Sequence, residues 1–221
     1  MHLETYPDSE MMMIDLANQI AGELSTCLLE HSWASLAVPG GSTPGPVFDA
    51  LSAADLDWSR VHVLLTDERR VPSDHPRSNE RLVRERLLTA RASVAKFVRL
   101  VPETEADWTA VRDRLTKELP LSILLLGMGA DMHTASLFPG APELHEALAN
   151  DAPPLMALTP PGGELEPRLS LTAPVLKGAM TTHVLITGDE KRAAVDRARK
   201  LTPEDAPIVT VLSGATVHWA P

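Results

Sequence analysis

Three short segments hold most of the residues able to do chemistry. Gly40-Gly41-Ser42-Thr43-Pro44 pairs two glycines with two hydroxyls ahead of a proline. Glycines let backbone N–H groups approach an anion, hydroxyls add donors, and a following helix N-terminus favours negative charge. The segment lacks the lysine of a Walker A loop and the G-x-G-x-x-G spacing of a dinucleotide site. A tight turn with a Ser/Thr helix cap fits it equally well. Thr66-Asp67-Glu68-Arg69-Arg70-Val71-Pro72, continuing through Asp74 to Ser78-Asn79, sets acids beside arginines. Such a run can orient a polar substrate, or it can be a solvated loop. The third segment, Gly127-Met128-Gly129-Ala130-Asp131-Met132-His133-Thr134, places an imidazole among glycines. Histidine titrates near neutrality and can take a proton from water, then return it to a leaving oxygen.

The remaining histidines are weaker candidates. His62 and His183 fall in strand-like runs, His2 and His218 lie near the ends, and His31, His75 and His145 have polar surroundings. No H-E-x-x-H or similar spacing points to zinc, and no G-x-S-x-G elbow points to a serine nucleophile.

Each segment needs an element to hold it. Trp33–Val38, Val61–Thr66 and Leu121–Leu126 are apolar runs that stop at glycine, proline or charge, as buried strands do. Phe97–Val101 and His183–Thr187 are further strand candidates. Apolar residues at helical spacing predict a helix from Ser9 to about Glu30, with Ser9 as its N-cap. Helices are also expected from Pro44 or Pro46, over Arg77–Leu88, from about Glu103 to Glu118 and over Asp189–Lys200, with an exposed turn at Pro160-Pro161-Gly162-Gly163. Alternating strands and helices predict an α/β fold. The expected form is a doubly wound, mostly parallel sheet with helices on both faces, in one domain spanning residues 1–221. In such a sheet, ligands bind at the carboxyl ends of the strands, where the three segments fall.

Composition narrows the partners. The chain has 221 residues, 44% hydrophobic and 23% charged, and a formal charge of −10. That balance argues against a nucleic-acid binder. A phosphorylated ligand would need a local concentration of cations and N–H groups. No apolar run reaches the ~20 residues of a membrane span, and the start of the chain has no secretory pattern. Cys27 is the only cysteine, so neither a disulfide nor a cysteine metal cluster is expected. A cytoplasmic protein is the expectation, and oligomeric state is not legible.

Taken together, the segments resemble the 6-phosphogluconolactonase family. The matching pieces are Gly40–Pro44, Asp67-Glu68-Arg69 with Val71-Pro72, Asp74 and Ser78-Asn79, and His133-Thr134-Ala135-Ser136-Leu137-Phe138-Pro139. Pro167-Arg168-Leu169-Ser170-Leu171-Thr172 and Gly188-Asp189-Glu190-Lys191 follow in family order. The resemblance implies a modified Rossmann-like fold and hydrolysis of a phosphosugar lactone without metal or other cofactor. It implies His133 as general base, Asp67 orienting water or sugar, and Arg69 stabilising developing charge. Gly40, Gly41, Ser42, Thr43, Arg168 and Lys191 would hold the phosphate. Asp131 would position His133 or simply cap the next turn. Two readings compete: an amino-sugar phosphate deaminase, whose histidine loop continues with Asn-Glu-Pro, and a non-catalytic phosphosugar sensor. The family carries glycine where Met132 stands, a position where glycine would permit a positive φ. Pro39 likewise replaces a small polar residue.

Overall fold

The apolar runs form the centre of a parallel sheet. The computed structural model describes residues 1–162 and 165–221, the side chain of Glu105 excepted. β1 (His2–Thr5) leads into α1 (Ser9–Glu30), followed by β2 (Ala34–Val38), α2 (Gly45–Ser52) and β3 (Val61–Leu65). A short strand β4 (Asp67–Arg69), α3 (Asn79–Arg86), β5 (Lys96–Val98), α4 (Trp108–Thr116) and β6 (Ile123–Gly127) come next. Then follow α5 (Leu144–Leu148), β7 (Leu155–Leu158), β8 (Arg168–Leu171) and α6 (Ala173–Lys177). The chain closes with β9 (Thr181–Thr187), α7 (Asp189–Ala198), α8 (Val209–Leu212) and β10 (Thr216–Ala220).

Seven strands pair in the order β1-β10-β9-β6-β2-β3-β5, every pair parallel. From β2 the chain winds outward to β3 and β5, then restarts at β6 and winds the other way. The strand order therefore reverses between β2 and β6, and a crevice opens at such a switch point. β2 is buried along its whole length and β6 up to Gly127, as expected of strands covered on both faces. One cluster of buried Leu, Val, Ile, Met and Ala side chains joins the sheet to its helices.

Several sequence expectations are corrected. Asp8, not Ser9, caps α1: its carboxylate accepts the Met11 N–H at 2.8 Å, while Ser9 is already the first helical residue. The strand expected at Phe97–Val101 lies at Lys96–Val98, and the expected 103–118 helix begins with a 3-10 turn at Glu105–Asp107 before α4. Of the turn expected at 160–163, Gly163 lies outside the described residues; Pro161 and Gly162 are exposed and Pro160 is buried.

The largest correction is at Asp67-Glu68-Arg69. This segment is strand β4 of a second sheet, ordered β4-β8-β7 and antiparallel. Asp67 and Glu68 are buried, not solvated. Glu68 is the reason the chain turns there. One carboxylate oxygen accepts the N–H groups of Arg69 (2.7 Å) and Asn79 (2.8 Å). The other accepts Ser78 Oγ (3.0 Å) and the Glu80 N–H (2.7 Å). A carboxylate at the first turn of α3 is stabilised by the orphan N–H groups and the helix dipole, so Glu68 clamps α3 against β4.

Candidate functional site

Three loops converge at the β2/β6 switch point around a cavity of about 420 Å³. Gly40, Gly41, Ser42 and Thr43 leave β2 along one side, and Asp67 and Arg69 of β4 lie across from them. His133, from the loop after β6, closes another side, while Arg168 of β8 and Lys191 of α7 complete the wall. Nine of the ten sequence-selected residues thus line one cavity. Asp131, the tenth, lies behind His133.

The His133 loop is tightly built. Met132 N–H donates to the Gly129 carbonyl and Gly129 N–H to the His133 carbonyl, both at 3.0 Å. Thr134 Oγ1 ties back to the Gly127 carbonyl at 2.9 Å. Met132 adopts φ +67° and Ala135 φ +49°, a left-handed region where a side chain is strained by about 1–2 kcal/mol. The backbone at Met132 therefore keeps the positive φ that glycine would have taken without strain. Gly129 has no such latitude: a Cβ there would lie 2.2 Å from His133 Nδ1 and 2.5 Å from Asp131 Oδ1.

His133 Nδ1 and Asp131 Oδ1 are 2.5 Å apart, and the same oxygen accepts the His133 N–H at 3.2 Å. Burial alone would raise the Asp131 carboxyl, but the hydrogen bond and charge of His133 outweigh it and hold the acid below its usual range. An ionised Asp131 selects the Nδ1–H tautomer and leaves Nε2 with a free lone pair. Phe138 packs on the imidazole with ring centroids 4.4 Å apart, and the Arg168 guanidinium lies 6.0 Å from the same phenyl ring.

The cations are held apart from ordinary salt bridges. Arg69 and Arg168 are register partners across β4 and β8. Arg168 is buried, and that burial together with the charge of Arg69 lowers its pKa from the usual arginine value. Nε of each guanidinium is buried without a hydrogen-bond partner. Both side chains line the cavity, and two guanidiniums on one wall suit an anionic ligand. Arg77 instead pairs with Glu166 at 2.9 Å.

Asp67 is fixed on both oxygens: Ser136 Oγ donates to Oδ2 at 2.6 Å and Thr66 Oγ1 to Oδ1 at 3.1 Å. Sequence reasoning assigned no role to Ser136, Phe138, Leu165 or Asn79, although Asn79, Phe138 and Leu165 line the cavity. Their membership of the matching segments was the available signal for all but Leu165. Among the described residues no group of three or more His, Cys, Asp and Glu is arranged to hold a metal ion, and no helix is long and apolar enough to cross a membrane.

Comparison with known proteins agrees with this geometry. The profile of the family described as glucosamine-6-phosphate isomerases/6-phosphogluconolactonase matches residues 7–219. A 6-phosphogluconolactonase of Mesorhizobium japonicum is 39% identical, covering 98% of this chain and 94% of its own. One of Rhizobium meliloti is 40% identical, covering 93% of each. The crystal structure of a 6-phosphogluconolactonase from Shewanella baltica superposes with a TM-score of 0.94 at 33% identity, over 100% of this chain and 97% of that one. The chain belongs to the glucosamine-6-phosphate isomerase/6-phosphogluconolactonase family.

Proposed function

We propose that this protein, acting as one domain over residues 1–221, hydrolyses 6-phospho-D-glucono-1,5-lactone to 6-phospho-D-gluconate. The observation that carries the reading is an imidazole with one nitrogen bound to Asp131 and the other free, facing a cavity walled by Arg69, Arg168 and Lys191. Such a site supplies a base and an anion cradle together. The names of the closely similar relatives support the same substrate.

In the mechanism, His133 Nε2 removes a proton from water as its oxygen attacks the lactone carbonyl carbon C1. Asp131 holds the ring and stabilises the imidazolium that forms. Negative charge collects on the former carbonyl oxygen, where Arg69 donates a hydrogen bond. When the tetrahedral intermediate collapses, the bond from C1 to the ring oxygen breaks and His133 returns its proton to that oxygen. The new carboxylic acid then loses its proton to solvent. Asp67, held by Ser136 and Thr66, accepts hydrogen bonds from the water or a sugar hydroxyl. Gly40, Gly41, Ser42 and Thr43 offer N–H and O–H donors to the 6-phosphate, with Arg168 and Lys191 neutralising its charge.

The test is the rate of lactone opening, with lactone freshly generated from glucose 6-phosphate and the spontaneous rate as baseline. Wild-type protein is expected to accelerate it, and His133→Ala to lose about 10²–10⁴-fold in kcat while staying folded. A wild-type rate equal to baseline, or ammonia released from glucosamine 6-phosphate, would overturn the reading.

A further inference from the structure

Asn79 opens α3, is 3% exposed and lines the cavity. Both ends of its amide are engaged. Nδ2 donates to the Asp67 carbonyl at 2.8 Å, and Oδ1 accepts from Arg69 Nη1 at 2.9 Å. Only one amide orientation satisfies both contacts, since a flipped amide would set donor against guanidinium and acceptor against carbonyl. The anion loop makes room for it: a Cβ at Gly40 would lie 1.9 Å from Oδ1 and 2.4 Å from Nδ2. One buried side chain therefore touches the β2 loop, the backbone of Asp67 and the guanidinium of Arg69.

The consequence falls on Arg69. A second bond runs from its Nη1 to the Arg77 carbonyl at 2.5 Å, so that end of the fork is fully engaged. Nε is buried with no protein partner. A guanidinium is planar and rigid, so pinning Nη1 fixes the direction of Nε–H. Long side chains otherwise wander among rotamers, and a donor misplaced by 1 Å can lose about 100-fold in rate.

We propose that Asn79 is a positioning residue for lactone hydrolysis: its Oδ1 holds the Arg69 guanidinium at the cavity wall, where that group meets the developing oxyanion, in space that only glycine at position 40 leaves open. The inference rests on the function proposed above. A plain structural role, tying α3 to β4, predicts something different, because Glu68 already makes that tie through the backbone N–H groups of Asn79 and Glu80.

The experiment measures kcat, KM and the urea midpoint for wild type, N79A, R69A and the double variant. N79A is expected to lower kcat by up to about 100-fold with KM little changed. In the R69A background the same substitution is expected to remove little more, because its partner is already gone. Losses that multiply independently would overturn the proposal, as would a KM effect without a kcat effect. If N79A does not fold, Gly40→Ala, which must displace the amide, carries the same cycle against R69A. Wild-type protein that fails to accelerate lactone opening removes the underlying function. Wild-type acceleration with N79A turning over at the wild-type rate removes this inference alone.

Discussion

His133 and the buried pair His183–His218 form two clusters of the same fold, and they differ in how many ring nitrogens are spoken for. At the carboxyl ends of the strands, His133 is 30% exposed, with Nδ1 on Asp131 and Nε2 open to the cavity. Under α1, His183 and His218 are 2% and 0% exposed. His183 Nε2 lies 2.8 Å from Glu23, its Nδ1 lies 2.9 Å from His218 Nε2, and His218 Nδ1 lies 3.0 Å from Tyr6 Oη. Tyr6 in turn donates to Glu4 at 2.6 Å, and Gln19 braces Glu4 and Asp15. A ring with both nitrogens engaged and no path to solvent holds elements together; a ring with one nitrogen held and one free is equipped for proton transfer. Desolvation and the neighbouring charge of His183 push His218 down to about 4, so it is neutral where the enzyme works.

The sharpest way to break the comparison is to delete one ring from each cluster. His133→Ala is expected to cut kcat by about 10²–10⁴-fold without moving the urea midpoint. His218→Ala should do the reverse. It strands the buried Nδ1 of His183, which typically costs about 1–3 kcal/mol for an unsatisfied group, and leaves kcat per folded molecule unchanged. Loss of turnover in folded His218→Ala protein would mean that the two clusters communicate.

This contrast shows what a sequence can display. The switch-point strands were readable because Ala34–Val38 and Ile123–Gly127 are apolar runs ended by glycine or proline. Gly40–Thr43 and His133 were readable because they follow those runs, and Asp67 and Arg69 because they follow Val61–Leu65; Arg168 and Lys191 were legible only through the family resemblance. His218 was not readable. It stands near the end of the chain in β10, and its burial depends on α1 and β1 from the other end. β4 was hidden for a related reason: its two acids are buried against distant partners, Glu68 at the N-terminus of α3 and Asp67 on Ser136. Asn79 was legible as part of a matching segment but not as a contact, since the room for it is an absent Cβ at Gly40. Local pattern reveals elements; pairings between distant segments need coordinates.

The same contrast has a pH signature. An unfolded histidine titrates near 6.5, whereas His218 in the fold titrates at about 4. Between those values the unfolded chain binds a proton that the folded chain refuses. Acid therefore favours unfolding across that window, and stability rises with pH until about 6.5, where this contribution is complete. The expected slope is about 1.4 kcal/mol per pH unit from this group. Urea titrations at pH 7 and pH 5 would read it in the wild type, and the His218→Ala variant should lack that part of the slope. An equal slope in both would assign the pH dependence to other groups.

The smallest expected effect belongs to Met132, in the His133 loop. Its φ of +67° carries strain, and Met132→Gly would relieve about 1–2 kcal/mol of it. Two losses oppose the gain. The methionine side chain is partly buried against the core, and glycine adds about 0.5–1 kcal/mol of backbone freedom to the unfolded chain. These terms nearly cancel, so the urea midpoint should move by less than about 1 kcal/mol equivalent. Turnover should barely change, because the loop is held by groups that survive: the Met132 N–H to Gly129, the Met132 carbonyl to the Ile208 N–H at 3.1 Å, and Asp131 to His133. A large rise in kcat on Met132→Gly would instead mean that the strained backbone holds His133 away from its reacting position.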